Sequence, residues 1–435
     1  MTKFVLSSDQ LDIINCVKNT RKNIFVTGKA GSGKTAVLRV IKEILKGKAI
    51  IAAPTGVAAL NAGGVTLHSL LSLPIKPYKP MYIRGVPVSM MGSYNLNDER
   101  VNVLNHADTL IIDEISMVRA DTMDAINDAL TYYRQNKEPF GGMRVIMIGD
   151  LFQLPPVVRK DDWGTISGYY MSPYFYDAHV FKYTSFDTFN LNFVFRQSDN
   201  NFVSLLNRIR VGDNSTDVLN KVNAMYNPNF KLEDDWVVLT STNKEASTIN
   251  SQKLYSINGH IFSYDVELKG NFNVKDGIFE ERLELKIGAQ IMMLTNDTEG
   301  RYVNGSIGKF MGEAMGALGE TFLMVNIDGN IIPVEKFKWD KQEFVVNSDT
   351  GMVEAKSIGS ATQYPIKLAW AITIHKSQGL TFDKVAINAK RAFANGQVYV
   401  ALSRGRSMEG TVLLNRLNAW NIKCDSILKS NKSLW

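Results

Sequence analysis

The sequence predicts an α/β protein in which parallel sheets are covered by helices on both faces. Three observations lead there. Short apolar runs bounded by turn residues recur at 49–53, 109–112, 145–148, 237–239 and 384–388, with helical periodicity between many of them, the alternation expected of parallel strands joined by crossover helices. A glycine-rich phosphate-binding pattern stands between a strand-like run and a helical one. Two regions break the alternation, and each reads as a small insertion.

The first strand is Asn23-Ile24-Phe25-Val26-Thr27, and the helix after it carries apolar residues at helical spacing over 36–45. Between them, Gly28-Lys29-Ala30-Gly31-Ser32-Gly33-Lys34-Thr35 matches G-x-x-x-x-G-K-[ST] in the context that motif requires. Its glycines let the backbone fold tightly, so that N–H groups and the helix N-terminus face phosphates. Lys34 can reach the β- and γ-phosphates, and the Thr35 hydroxyl can hold Mg²⁺. Residues 71–99 hold Pro74, Pro77, Pro80 and Pro87 with little periodicity, and form the first insertion. The run 110–112 ends in Asp113-Glu114, which places two carboxylates at the carboxyl end of a strand beside the loop. Asp113 is positioned to hold Mg²⁺ and Glu114 to orient or deprotonate water; taken alone, the pair could equally be a surface Asp-Glu ending a strand. The run 144–148 leads into Gly149-Asp150 and then Gln153-Leu154-Pro155-Pro156. Gln153 is either a sensor of the γ-phosphate or a polar turn residue before two prolines. Residues 258–360 read as short strands with glycine turns, including 287–294 and 321–330, a pattern best explained by a small inserted β-barrel.

Composition bounds the function. The 435 residues, 45% apolar and 21% charged, suffice for two to four domains with true cores. A formal charge of +6 suits a polyanionic partner without requiring one. Cys16 and Cys424 lie at opposite ends without metal-ligand spacing, which points to a reducing compartment. No apolar stretch has membrane-spanning length and the N-terminus lacks a signal pattern, so the expected location is the cytoplasm of a bacterium or phage. His68 and His375 stand without a spaced second ligand, and read as polar contacts or buried structural groups in preference to metal sites.

Taken in order, Gln10, the loop 28–35, Pro54-Thr55-Gly56-Val57, Thr66-Leu67-His68-Ser69, Asp113-Glu114, the stretch 133–144 with Pro139-Phe140-Gly141-Gly142, Gly149–Val157, Phe195-Arg196-Gln197, Val303-Asn304-Gly305-Ser306-Ile307-Gly308, Ile374-His375-Lys376-Ser377-Gln378-Gly379 and Gln397–Arg404 resemble the ordered motifs of superfamily 1 helicases, most closely the Pif1 family. The resemblance covers nearly the whole chain. It implies two RecA-like P-loop domains with parallel sheets: 1A over 1–63 and 100–183, and 2A over 184–257 and 361–435. Each carries an insertion, 1B over 64–99 and an SH3-like β-barrel 2B over 258–360. It further implies a nucleotide site of Gln10 on adenine with Gly28, Ala30, Gly31, Ser32, Gly33, Lys34 and Thr35 on the phosphates, Mg²⁺ at Thr35 and Asp113, and catalysis by Lys34, Glu114, Gln153 and two arginine fingers, Arg196 and Arg404. Single-stranded DNA would meet Pro54, Thr55, Gly56, Val57, Thr66, His68, His375, Lys376 and Ser377, and Met90-Met91 is a candidate wedge at the fork. The aromatics Phe193, Phe195, Tyr364, Trp370 and Tyr399 read mostly as core, with base stacking the alternative.

The activity so implied is ATP- and Mg²⁺-dependent 5′-to-3′ movement on single-stranded DNA with unwinding of tailed or forked duplexes, extending to G-quadruplexes and RNA–DNA hybrids, in DNA repair and telomere maintenance. The resemblance carries a monomer in solution, a dimer on DNA as a further state, and no membrane partner. Long terminal extensions known in some relatives are not expected here. Rival readings are a RecD-like or RNA-directed helicase, and an ATP-dependent clamp that binds without unwinding.

Overall fold

The computed structural model describes residues 6–430 apart from 81, 84–85, 88–94, 194–198, 275–276, 318 and 391–393. Contacts divide the chain into two units. The first comprises Met1–Phe195, Lys341–Ile358 and Ser426–Trp435, the second Arg196–Asp340 and Gly359–Asp425.

The first unit is built on a six-stranded sheet in the order Val65–Thr66, Ala49–Ala53, Thr109–Ile112, Arg144–Ile148, Ile24–Gly28, Asp187–Leu191, with every neighbouring pair parallel. The central strands are buried along their whole length and carry the apolar runs 24–26, 110–112 and 145–148, because both faces are covered. One row of the register, Ile51–Ile111–Ile146–Ile24, runs isoleucine to isoleucine across four strands, all of them buried. The helix Lys34–Ile44 turns Val37, Leu38 and Ile41 inward, and Ala120–Tyr133 buries ten of its fourteen residues.

The expected boundaries shift at three places. Asp187–Leu191 pairs along its whole length with Ile24–Gly28, so the first unit continues past residue 183. Val65–Thr66 pairs with Ala52–Ala53, which assigns the start of the expected insertion to the main sheet. Residues 341–358, expected within the second insertion, count with the first unit. They are joined to it by an Arg100–Glu343 ion pair and by the Val353 N–H donating to Gly47 O at 3.0 Å. The candidate wedge Met90-Met91 lies outside the described residues, as do Phe195 and Arg196.

In the second unit a parallel sheet has the order Ala371–Thr373, Val237–Thr240, Val385–Ile387, Thr411–Leu413. The strand-rich region contributes a five-stranded antiparallel sheet, Asn330–Val334, Thr321–Ile327, Ile307–Met315, Gln290–Met293, Ile366–Leu368. Its last strand follows residue 360, so the sheet takes in residues beyond the expected insertion. Within the strand-and-turn stretch 321–330 the first strand ends at Ile327 and the next begins at Asn330. Asp328 and Gly329 then adopt left-handed φ values of 50° and 84°, the conformation a two-residue hairpin turn demands. Leu285, Ile291, Met293, Phe310, Val325 and Ile366 form the core of this sheet. Tyr364, Trp370 and Tyr399 are buried, consistent with the core reading, while Phe193 is 60% exposed.

Candidate nucleotide and nucleic-acid sites

In the first unit the sheet brings its sequence motifs to one edge. Gly28, Pro54-Thr55, Thr66, Asp113-Glu114 and Gly149-Asp150 all sit at or just past the carboxyl ends of parallel strands, the edge where open α/β sheets bind ligands. Tight geometry fixes the phosphate loop. A Cβ on Gly28 would lie 2.8 Å from both Leu191 Cβ and Leu191 O, and Gly31 and Gly33 adopt φ of 80° and 87°, which glycine adopts without steric cost. The helix Lys34–Ile44 begins immediately afterwards, and its first N–H groups have no partner within the helix. The Lys34 ammonium donates to Gly28 O at 2.8 Å and Lys29 O at 3.1 Å, folded over the loop it would serve.

Asp113 is held by its N–H donating to Ala52 O at 3.0 Å. Burial pushes its carboxyl pKa up, opposed by a hydrogen bond from the Glu114 backbone and by the charge of Lys34. That opposition means the loop lysine and the Asp-Glu motif act on one another electrostatically. Thr35 is exposed at the helix start. Thr35 and Asp113 offer hard oxygen donors of the kind Mg²⁺ takes alongside phosphates. Glu114 has φ of 52°, an unusual backbone state for a non-glycine residue. Gln153 is buried and its amide donates to Asp150 Oδ2 at 3.2 Å. Gln10 is fully buried. Its Oε1 accepts the Ser7 N–H at 3.0 Å in a capping box, whereas its Nε2 has no partner among the described residues. A buried amide donor left this way suits the ring acceptors of a purine. Ala30 and Ser32 are buried within the loop.

Beside this edge lies a cleft of about 260 Å³ whose lining includes Pro54, Thr55, His68, Lys76 and Arg119. Thr55 and Thr66 cap the helices Gly56–Ala62 and Leu67–Leu71 by accepting the N–H groups of Ala58 and Ser69, each at 3.2 Å. Capping uses an oxygen lone pair, so each hydroxyl keeps a hydrogen to donate. Val57 is 41% exposed on the first turn of its helix. Burial, helped by the charge of Arg119, lowers the His68 pKa against the pull of Asp121.

In the second unit the strand Ala371–Thr373 runs into His375 and Lys376. Lys376 is exposed, and burial lowers the His375 pKa. Ser377 is different. Its side chain is fully buried and its hydroxyl donates to Ile374 O at 2.8 Å, so it braces the loop and does not present itself to solvent as a DNA contact. Arg404 is 1% exposed. Its guanidinium donates to Val400 O at 2.9 Å, Leu380 O at 3.2 Å, Ser377 O at 3.4 Å and Ser403 Oγ at 2.8 Å. In this arrangement Arg404 ties the end of its helix to the loop bearing His375 and Lys376.

A family model described as PIF1-like helicase matches residues 5–219. The fold is similar to that of Bacteroides sp Pif1 solved in complex with ADP-AlF4, at 36% identity and a TM-score of 0.89, covering 99% of this chain and 98% of that one. The chain belongs to the PIF1-like helicase family. Bacteroides Pif1 bound to ssDNA is similar at 37% identity and a TM-score of 0.67, over 98% and 96% of the two chains. The ATP-dependent DNA helicase PIF1 of Homo sapiens is 32% identical over 98% of this chain and 63% of its own length. The chain thus spans less than two thirds of the length of that curated relative. This family membership agrees with the resemblance carried by the sequence motifs.

Sequence reasoning passed over the acids of the helix Ala120–Tyr133. Asp121, Asp124 and Asp128 are spaced three and four apart and are all buried. Asp124 accepts Tyr170 OH at 2.8 Å and the N–H groups of His179 and Val180 at 2.9 Å. Asp121 accepts the Tyr78 N–H at 2.8 Å and pairs with Arg119, while Asp128 accepts the Tyr78 hydroxyl. Carboxylates recurring at helical spacing on an apolar face were the available signal. The stretch 133–144 proves to be a brace. Phe140 and Gly141 are left-handed, and Arg134 donates to Gly141 O at 2.7 Å, to Ala107 O at 2.9 Å and to Leu104 O.

Proposed function

We propose that the chain is an ATP-dependent DNA helicase that moves 5′-to-3′ along single-stranded DNA and separates tailed or forked duplexes. The observation that carries this reading is the meeting, at one edge of one parallel sheet, of the Lys34 loop with the Asp113-Glu114 pair and, beside them, the cleft of Thr55, His68 and Arg119. Support comes from relatives: Bacteroides Pif1 has been solved with ADP-AlF4 and with ssDNA, a further similar structure concerns DNA unwinding at forked dsDNA by two coordinating Pif1 helicases, and curated relatives are named ATP-dependent DNA helicases.

The roles follow from the chemistry. Loop N–H groups and Lys34 hold the phosphates, and Gln10 offers its amide to adenine. Thr35 and Asp113 would hold Mg²⁺, which when bound neutralises phosphate charge. Glu114 orients the attacking water and takes its proton. Gln153 reports on the γ-phosphate, while Arg196 and Arg404 neutralise charge that builds on the transferring phosphoryl group. Arg404 would leave its carbonyl partners to do so, which would make hydrolysis depend on movement of the loop carrying His375 and Lys376. Pro54, Thr55, Gly56, Val57, Thr66, His68, His375 and Lys376 contact phosphates and sugars, groups common to every sequence. Among the described residues no helix is long and apolar enough to cross a membrane, and the working location is the bacterial or phage cytoplasm. The protein acts as a monomer in solution and two copies can share a fork.

The test is ATP-driven strand separation on matched duplexes with a 5′ or a 3′ single-stranded tail, beside Lys34→Ala. Unwinding of the 5′-tailed substrate alone is expected. Preference for the 3′ tail would overturn the polarity, and DNA-stimulated hydrolysis without unwinding would make the protein a clamp or translocase. G-quadruplex and RNA–DNA substrates with the same tail extend the assay.

A further inference from the structure

The strand Ile366–Leu368 pairs with Gln290–Met293 so that Lys367 stands opposite Met292. Ile366 and Leu368 pack with Ile291 and Met293 into the core of that sheet, and strand alternation therefore puts Lys367 and Met292 on its other face. Ile307 is opposite Met292 on the next strand and extends this face towards residues 303–306. There Gly305 approaches the second unit's own helicase motif: a Cβ on it would lie 3.3 Å from Leu380 Cδ2. The turn 303–306 and the loop 375–380 are thus side by side, with Lys367 on the same face of the sheet. Lys367 is half-buried, and among the described residues its ammonium has no hydrogen-bond or ion-pair partner.

We propose that Lys367 is a second phosphate-binding cation of the single-strand path, acting beside Lys376. The proposal rests on the function stated above and adds a residue to it. Two ammonium groups that repel one another, neither of them ion-paired among the described residues, form a site whose electrostatic cost a bound phosphate relieves. Burial and the neighbouring Lys376 lower the Lys367 pKa to about 8, against the charge of Glu280.

The test is the salt dependence of binding to a fluorescent oligo-dT strand at pH 7, for the full chain and for Lys367→Gln, Lys367→Met and Lys367→Arg. Each lost phosphate contact on a single strand lowers the slope of log K against log salt by about 0.7. Lys367→Gln is expected to lower it by about that amount and to weaken binding about 5- to 10-fold at low salt, with Lys367→Arg restoring both. Lys367→Met keeps the aliphatic stem beside Met292 and stands in if the amide disturbs folding, which circular dichroism melting reports. Wild-type binding with an unchanged slope in the folded Gln or Met variant would overturn the assignment of Lys367. Failure of the wild-type chain to bind the strand at all would overturn the function itself.

Discussion

Removing the Asp121 carboxylate tests whether the acids of the helix Ala120–Tyr133 hold together the cleft lined by Thr55, His68 and Arg119. Asp121 is 1% exposed. It accepts the Tyr78 N–H at 2.8 Å and Arg119 Nε at 2.7 Å, with a second bond from the same guanidinium. In Asp121→Ala the Tyr78 N–H is left without its acceptor beneath a side chain that is 2% exposed, a loss of about 1–3 kcal/mol. Arg119 loses a two-pronged carboxylate and retains Asp162 at 3.3 Å, a further loss of about 1–2 kcal/mol. Burial works against the Arg119 charge while Asp121 and Asp162 raise its pKa; without Asp121 the guanidinium, which stays charged in proteins, is left with Asp162 alone to offset its burial. The sum, about 2–5 kcal/mol, corresponds to a fall of roughly 5–20 °C in the melting of a domain of this size. Differential scanning calorimetry of Asp121→Ala beside Asp121→Asn measures it. The Asn variant, which keeps an acceptor for Tyr78, should lose about half as much. A midpoint for Asp121→Ala within about 1 °C of wild type would refute the assignment of a structural anchor to this carboxylate. Normal single-strand affinity in a destabilised variant would show that the anchor does not shape the cleft.

Lys34→Ala should reduce hydrolysis by at least about 10²–10³-fold, and an ATPase assay at the wild-type rate would refute its role. Arg404→Ala should lower turnover far more than nucleotide affinity and also lower the melting temperature, since the guanidinium satisfies carbonyls of Val400, Leu380 and Ser377; unchanged turnover in a calorimetrically destabilised variant would leave it a purely structural residue. His68 and His375 have folded-state pKa values below the ordinary 6.5, chiefly through burial. The unfolded chain therefore binds more protons, and stability should fall as the pH drops from 6.5 towards the folded values. Urea midpoints at pH 7.5 and 5.5 should separate less in His68→Gln/His375→Gln than in wild type, and an equal separation would refute the linkage.

Much of the nucleotide-binding edge was legible in the chain because it depends on local order. A parallel strand buried on both faces must be an unbroken apolar run, so 49–53 and 109–112 could be read to the residue. The phosphate loop is likewise local, needing glycine where φ is positive and a helix directly after it. The family signature also lay in linear motifs. What the sequence by itself determined, then, was the strands, the loop, the kinship and the types of residue that serve phosphate chemistry. Tertiary structure alone decided where the pieces close on one another. Asp187–Leu191 is half-buried along most of its length and carries no long apolar run, and its place at the sheet edge follows only from pairing with Ile24–Gly28 across more than a hundred and fifty residues. Ser377 and Arg404 look alike in motif context as functional polar groups, yet burial and carbonyl partners make the one a brace and tie the other to its own helix and the neighbouring loop. Lys367 is one lysine among many in the sequence, and its place beside Lys376 depends on the strand register that turns it away from an apolar core. The physical reason is the same in each case. Local backbone preference and apolar periodicity are properties of a segment, whereas desolvation and pairing belong to whatever the rest of the chain brings against it.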